Sequence, residues 1–469
     1  MERQLTPLTD ERRAGLTARE SDADSTGTSN PDYRTPQQRD RDRILYSSAF
    51  QRLAYVTQVT APEAGHTFHN RLSHSLKVAQ VGRRNAERLR ALAAKGEITG
   101  AAATLVEALD PEAVEASCLA HDLGHPPFGH IAETVLNELG GEHLQGGFEG
   151  NAQSFRIVTR LAVRTARPGL DLTRETLDGL LKYPWAHRSS DPVHNHKREH
   201  KWGYYAQDAG SFDFARAGWP AETEEELPER CLGAELMDWA DDVTYAVHDV
   251  DDFFRAGLVP LDRLAHPQDS ERKRLVSLLK EARASDREPW SYEIDELVAA
   301  AERALRHGPI APYEHTTTAR IELRRFASRL ITNYLDAFTV RDDPATGAAI
   351  LNIDDEARLQ VAALKLLVRV YVIQHPGLAV IQHGQQRVVR ELYDCYFRAS
   401  NPAPGKGDRR LFPPTTRERL DSEPGDAASR ARVILDLIAG LTETSAIQLH
   451  RRLCGGETAV ALDHTALIG

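Results

Sequence analysis

The chain has 469 residues, enough for one large domain or two to three ordinary ones, and 41% of them are hydrophobic. Its 58 basic and 69 acidic side chains give a formal net charge of −11. This balance argues against strong binding of duplex nucleic acid, which needs a basic face, but permits a small anionic ligand in a locally basic pocket.

The N-terminal segment, residues 1–32, is rich in Thr, Ser, Asp, Glu and Arg and poor in large apolar side chains, which predicts a flexible tail. It contains no apolar run typical of a secretory signal, so we expect a cytoplasmic protein. The cysteines at 118, 231, 395 and 454 lie far apart without Cys-x-x-Cys spacing. This spacing disfavours a disulfide framework and a cysteine zinc site, and it agrees with a reducing compartment.

Helical periodicity dominates from Tyr33 onward. Residues 71–94, 112–123 and 432–453 place apolar side chains at i, i+3, i+4 and i+7, whereas runs with two-residue alternation are scarce. The sequence therefore predicts an all-α fold. The most apolar stretch, 359–381, is interrupted by two basic residues, which favours a buried helix over a membrane span.

Three polar segments interrupt this pattern, at 183–210, 265–295 and 399–428. They indicate loop insertions in one large helical globule rather than boundaries between domains. We expect a core over residues 33–400 and, packed on it, a C-terminal loop and helices over residues 401–469.

The dipeptide His121-Asp122 ends an apolar helix and continues into the sequence HDLGHPPFGH. A polar pair that closes a buried helix needs partners, and a metal ion is one possibility. Imidazole and carboxylate together suit a divalent transition metal or magnesium. An isolated His-Asp pair is ordinarily a surface or capping pair, and His248-Asp249 lacks comparable context.

Further ligands must come from other helices. His74 lies in an amphipathic helix, where the alternative is a hydrogen-bonded core histidine. Asp241, Tyr245 and Asp249 are spaced i, i+4 and i+8 and so share one helix face. Apolar side chains interleave with them, which indicates a buried helix whose carboxylates need cations or donors. The alternative is a solvated polar stripe.

Six segments occur in a fixed order: RTPQQRDRDRILYSSAFQRLAYVTQV, HNRLSHSLKVAQVGR, HDLGHPPFGHIAE, FEGNAQ, LLKYPW and ADDVTYAVHDVDD. Together they resemble the bacterial deoxyguanosinetriphosphate triphosphohydrolase-like (dGTPase) family of the HD-domain superfamily, over roughly residues 33–400. The resemblance implies hydrolysis of a deoxynucleoside triphosphate (dNTP), with dGTP as a candidate, at the α-phosphorus. The products would be a deoxynucleoside and tripolyphosphate.

The resemblance also implies a ligand set for one divalent ion. The family pattern Asp-x-x-x-Tyr-x-x-x-Asp selects Asp241 over Asp242 and leaves His248 without a metal-binding role. Mg²⁺ or Mn²⁺ is expected first, with Zn, Fe, Co or Ni as alternatives. The implied ligands are His74, His121, Asp122 and Asp241.

Substrate contacts follow from the same resemblance. Arg71 and Lys182 would meet the phosphates, where the alternative for each is an exposed charge. Gln58 would bond the sugar 3′-hydroxyl, and Tyr245 and Asp249 would complete the sugar pocket. A tyrosine ring against C2′ would exclude a ribose 2′-hydroxyl.

The leaving 5′-oxygen needs a general acid, and histidine suits neutral pH. His130 has Glu133 three residues later, so the carboxylate can orient its ring, and the family's catalytic role falls at this position. His125 resembles a residue that contacts the α-phosphate. Helix capping by His130 and loop anchoring by His125 are the structural alternatives.

Two other functions stay open at this stage. One is another HD-type phosphohydrolase acting on nucleoside monophosphates, cyclic nucleotides or alarmones. The other is a catalytically silent nucleotide-sensing protein. Relatives form hexamers or tetramers, so the resemblance implies a homo-oligomer.

Overall fold

The computed structural model describes residues 2–24, 32–58, 70–188, 195–220, 227–265, 269–286 and 290–455. Helices dominate this part of the chain, which confirms the predicted all-α class. The α-helices are α1 (Asp10–Gly15), α2 (Pro36–Leu45), α3 (Ser48–Arg52), α4 (Arg71–Ala94), α5 (Gly100–Ala108), α6 (Pro111–Ala120), α7 (His130–Gly141), α8 (Gly150–Arg156), α9 (Arg174–Leu180), α10 (Asn195–His200), α11 (Ala209–Ala215), α12 (Leu232–Thr244), α13 (Val250–Arg255), α14 (Leu261–Ala265), α15 (Asp269–Ser285), α16 (Ile294–Leu305), α17 (Thr317–Asp336), α18 (Asp355–Val368), α19 (Pro376–Ala399), α20 (Pro414–Ser422), α21 (Ala427–Ala439) and α22 (Glu443–Leu453). Short 3₁₀ or π turns occupy Glu20–Asp24, Leu53–Tyr55, Ile157–Leu161, Tyr245–Asp249, Ala206–Asp208, Arg369–Ile373 and Arg409–Leu411. The strands are β1 (Glu2–Gln4), β2 (Phe338–Asp342) and β3 (Ala349–Ile353).

Helices α4, α6, α9 and α12 pack on one another and form the frame of the site. Side-chain caps begin two of these helices. The Asn70 and Asp110 side chains accept hydrogen bonds from backbone N–H groups in the first turns of α4 and α6. The two helices approach closely because position 82 is glycine. A Cβ on Gly82 would lie only 2.5 Å from the Cys118 sulfur.

A second apolar cluster joins α7 to the C-terminal helices. Leu136 of α7 is buried against Leu392 of α19 and against Ile434 and Ile438 of α21, and Ala446 of α22 belongs to the same cluster. The helix that begins at His130 is therefore supported by residues from the last quarter of the chain.

The N-terminal segment does not behave as the predicted flexible tail over residues 2–24. β1 pairs antiparallel with β3 in a sheet of order β1-β3-β2, with Arg3 opposite Leu351. The Arg12 guanidinium lies 3.8 Å from the centre of the Trp219 ring. The polar composition of this segment suggested a flexible tail, but Arg3 and Arg12 lie in parts of it that contact the rest of the fold. The rest of the expected tail, residue 1 and residues 25–31, falls outside the described residues.

No single helix in the described ranges is both long and apolar enough to cross a membrane. Asp355–Ile373 and Pro376–Ala399 meet the length and composition criteria only as a pair, bent by 78°. Inside the first of them, Val361, Leu364 and Leu367 are buried in the core. Burial explains the apolar character of residues 359–373, but the predicted buried helix does not continue to 381, because a new helix begins at Pro376 and leaves Val380 and Ile381 exposed.

Candidate active site

The site is a cavity of about 950 Å³ between the α4, α6, α9 and α12 frame and the α15–α18 side of the fold. Predicted site residues line one wall: Gln58, Arg71, His121, Asp122, His125, His130, Lys182, Asp241 and Tyr245. The opposite wall includes Asp286, Trp290, Tyr292, Arg358, Lys365 and Arg369. His74 and Glu133 are buried directly behind the first wall.

Three helices bring the predicted metal ligands together. His74 Nε2 lies 3.1 Å from Asp241 Oδ1, and the Nε2 atom of His121 lies 3.6 Å from the same oxygen. His121 Nε2 is also 3.4 Å from Asp122 Oδ1. Ligand atoms of His74, His121 and Asp241 all fall within 4.8 Å of one another. Three of the predicted positions, His74, His121 and Asp241, therefore converge on one point, and Asp122 adjoins it through its approach to His121.

The donor set fits a divalent cation. His121 turns Nδ1 to the Cys118 carbonyl oxygen at 2.6 Å, which directs Nε2 at the cluster. That nitrogen is buried, and no described residue lies within hydrogen-bond geometry of it. Burial alone would lower the pKa of His121, but Asp122 and Asp241 outweigh burial and raise it to about 9. Buried carboxylates and imidazoles so arranged suit a metal ion.

The choice between adjacent aspartates has a structural basis. Asp241 faces His74 and His121, whereas Asp242 Oδ1 accepts a 2.6 Å hydrogen bond from the Lys365 ammonium across the cavity. Burial would raise the pKa of Asp241, but Lys182 and the two histidines hold it well below its usual range. The geometry thus supports Asp241 as the ligand.

Cations lie next to the cluster. Arg71 Nη1 donates to Asp122 Oδ2 at 2.8 Å, and Lys182 Nζ lies 3.1 Å from Asp241 Oδ2 and 2.8 Å from Asp238 Oδ1. Both side chains line the cavity. Charge-assisted donors of this kind can bind the oxygens of a polyphosphate.

A His-Glu pair stands at the start of α7. His130 Nδ1 lies 2.8 Å from Glu133 Oε2, while the His130 side chain is 71% exposed at the cavity. Glu133 Oε1 accepts from Gly150 N at 3.2 Å and from Lys201 Nζ at 3.1 Å. Burial would raise the pKa of Glu133, but Lys201 and His130 hold it well below its usual range. The carboxylate can therefore orient the imidazole.

The loop before His130 is held from a distant part of the chain. Phe128 and Gly129 adopt positive φ angles of 68° and 60°. Glu443, in the first turn of α22, accepts backbone hydrogen bonds from Thr57 N at 2.6 Å and Phe128 N at 3.2 Å. One buried carboxylate thus connects the loop before His130 with the segment that presents Gln58.

The sugar-pocket prediction is only partly matched by the geometry. Gln58 and Tyr245 line the cavity, and the Gln58 Oε1 atom is buried without a hydrogen-bond partner among the described residues. Asp249, predicted to line the site, does not belong to the described lining. Asp249 ends the π turn Tyr245–Asp249, and its Oδ2 atom is buried without a hydrogen-bond partner among the described residues. The Asp249 side chain is buried. Burial is the larger cause, and the nearby Asp252 carboxylate the second, that raises the pKa of Asp249 well above the usual range.

Lys201 falls where the resembling family carries a Lys-x-Gly-aromatic motif near the phosphates, whereas Lys365 and Glu443 were not singled out as site residues from the sequence. Lys201 supports Glu133 and also lies 3.0 Å from Glu149 Oε1. Lys365 and Glu443 reach the site from more than a hundred residues away along the chain. Periodicity carries no signal for such contacts, although Thr442-x-x-Ser445 does indicate the start of a helix.

Comparisons with known proteins agree with this geometry. The HD domain family matches residues 71–246, and the phosphohydrolase-associated domain matches residues 351–452. A deoxyguanosinetriphosphate triphosphohydrolase-like protein from Streptomyces coelicolor is 38% identical over 90% of this chain and 93% of its own length. Relatives of the same name from Corynebacterium efficiens and Bifidobacterium longum are 35% and 32% identical, over 91% and 90% of this chain and 93% and 83% of their own lengths.

These relatives span almost the whole chain, and the matched HD domain contains His74, His121, Asp122 and Asp241. An HD domain with this donor set is a divalent-metal phosphohydrolase. The chain belongs to the deoxyguanosinetriphosphate triphosphohydrolase-like family of HD-domain proteins.

Proposed function

We propose that the protein hydrolyses deoxynucleoside triphosphates at the α-phosphorus and releases a deoxynucleoside and tripolyphosphate. The observation that carries the proposal is the meeting, at one cavity, of the His74, His121 and Asp241 cluster, the adjoining Asp122 carboxylate and the His130–Glu133 pair. The printed names of the relatives, which refer to dGTP, support the substrate class.

A divalent ion held by His74, His121, Asp122 and Asp241 would polarise the α-phosphate and lower the pKa of a water molecule. Arg71 and Lys182 are proposed to bind phosphate oxygens. Each lines the cavity and pairs with a carboxylate of the proposed metal cluster, so each cation lies next to the expected position of the ion. They would hold the triphosphate with its α-phosphorus next to the cluster.

His130 is the proposed general acid. Glu133 engages its Nδ1 atom, which leaves Nε2 to deliver a proton to the 5′-oxygen as the bond from that oxygen to phosphorus breaks. The water oxygen ends in tripolyphosphate. His125, whose ring centre lies 5.2 Å from that of His130, is proposed to contact the α-phosphate.

Gln58 and Tyr245 are the proposed sugar contacts. The unpartnered Gln58 oxygen can accept a hydrogen bond from the 3′-hydroxyl, and the Tyr245 ring can exclude a 2′-hydroxyl. Tyr245→Ala should therefore raise turnover of ribonucleotides relative to deoxyribonucleotides. Steady-state rates with matched nucleotide pairs measure this ratio, and an unchanged ratio would remove Tyr245 from the sugar site.

The proposal is tested by incubating the protein with each dNTP and Mg²⁺ or Mn²⁺ and separating the products by chromatography. Deoxynucleoside with tripolyphosphate is expected, and Asp122→Asn, which alters a proposed metal ligand, should abolish it. Products such as dNDP with phosphate, or dNMP with pyrophosphate, would place the reaction at another phosphorus. Binding without turnover would favour a sensor. Light scattering would test the proposed homo-oligomer.

A further inference from the structure

A second cluster of ligand-type side chains lies far along the chain from the active site, where α22 packs on α19. Glu391 and Cys395 stand four residues apart on α19, and His450 and Cys454 stand four residues apart at the end of α22. Residues with this spacing lie on one face of a helix. Two such pairs therefore face each other across a helix–helix contact.

The side chains already touch. His450 Nε2 lies 2.7 Å from Glu391 Oε2, and the Cys454 sulfur lies 3.5 Å from the Glu391 carbonyl oxygen. The Cys454 thiol also shares a side-chain hydrogen bond with Cys395. Ligand atoms of Glu391, His450 and Cys454 fall within 4.8 Å of one another. Arg387 occupies the other Glu391 oxygen at 2.6 Å, so Oε2 alone turns toward the cluster.

We propose that Glu391, Cys395, His450 and Cys454 bind Zn²⁺ in a structural site separate from the catalytic metal. Two sulfurs, one imidazole and one carboxylate are a ligand set that zinc accepts in tetrahedral geometry. Zinc–ligand distances of about 2.0–2.3 Å imply ligand separations of roughly 3.3–3.8 Å, within small side-chain movements of those present.

The sequence contains no Cys-x-x-Cys spacing, which is the usual indication of a cysteine zinc site. Here each cysteine is paired at helical spacing with a different ligand type, Glu391 for Cys395 and His450 for Cys454. Zinc would join α22 to α19. Because Glu443 begins α22, the ion would also stabilise the helix that holds the active-site loop.

The test uses the full chain, freed of metal by a chelator under reducing conditions and titrated with Co²⁺. Thiolate ligation produces an intense sulfur-to-cobalt charge-transfer band, which the nitrogen and oxygen ligands of the catalytic cluster cannot give. The band should appear with wild type, persist in Cys231→Ser, and vanish in Cys395→Ser/Cys454→Ser. Cys231 is a suitable control because its sulfur caps α12, a role that serine performs well.

Zinc content gives a second measurement that does not depend on cobalt. The double variant should lose zinc that the Cys231→Ser protein keeps, while both retain Mn²⁺-dependent hydrolysis if the proposed function holds. His450→Gln should weaken zinc binding without removing a thiol. The proposal would be overturned if the band were absent in wild type or equally strong in the double variant. A Cys395–Cys454 disulfide that resisted the reductant would also overturn it.

Discussion

The Glu443 carboxylate offers a sharp test of how the active site is assembled. Its Oε1 atom accepts backbone hydrogen bonds from Thr57 and Phe128, and all three residues are buried. Glu443→Ala would leave two buried N–H groups without an acceptor, at about 1–3 kcal/mol each. We therefore expect the free energy of unfolding to fall by about 2–6 kcal/mol. The smaller loss is expected if water fills the space left by the carboxylate and accepts hydrogen bonds from the two N–H groups.

Activity should fall together with stability, because Thr57 directly precedes Gln58 and Phe128 lies in the loop that ends at His130. Glu443→Gln keeps an acceptor oxygen but loses the charge that makes such bonds roughly twice as strong, so it should recover part of both losses. Guanidinium denaturation and steady-state kinetics measure the two effects. Gln448→Ala, at an exposed position of the same helix, is the control and should change stability by no more than about 0.5 kcal/mol.

The reasoning would be refuted if Glu443→Ala unfolded at the wild-type denaturant concentration and retained full activity. If Glu443→Gln lost as much stability and as much activity as Glu443→Ala, the acceptor oxygen would not be the feature that matters.

Three further variants test separate parts of the account. Asp241→Asn should lose Mn²⁺ binding in a titration while Asp242→Asn, whose side chain pairs with a lysine, keeps it; the reverse pattern would contradict the ligand assignment. His130→Ala should lower kcat by about 10²–10⁴-fold with Mn²⁺ and dNTP affinities retained, and a wild-type rate would assign the proton to another group. Burial raises the pKa of Glu175 from its ordinary value of about 4.5 to about 7, so the folded protein keeps a proton that the unfolded chain loses, and stability falls as pH rises from about 4.5 to about 7. Glu175→Gln should thus gain stability relative to wild type across that interval, by at most about 3 kcal/mol in urea unfolding, and a difference that does not vary with pH would refute the assignment.

The sequence was informative where the site is built from regular helices. His74 lies within α4, His121 and Asp122 directly follow α6, and Asp241 lies within α12. Periodicity identified these helices and motif order connected them, so the structure brings together residues that could be named beforehand. The apolar patterns that define a helix also define which side chains it buries.

Other features depend on pairing between distant segments. β1 is a three-residue strand that exists because β3 offers an edge, and polar composition gave no indication of it. Glu443 meets Phe128, which lies 315 positions earlier in the chain. Asp249 shows a different limit, since the i, i+4, i+8 spacing assumed a regular α-helix, whereas Tyr245–Asp249 forms a π turn that alters the spacing between Asp241 and Asp249.

The central claim is attack of water on the α-phosphorus of a dNTP, and its most direct test is hydrolysis in water enriched in heavy oxygen. Mass spectrometry of the products locates the oxygen that water supplied. The account predicts unlabelled deoxynucleoside and tripolyphosphate that carries one heavy oxygen, with both products absent in Asp122→Asn. Label in the 5′-hydroxyl of the deoxynucleoside, or a labelled monophosphate or orthophosphate, would contradict it.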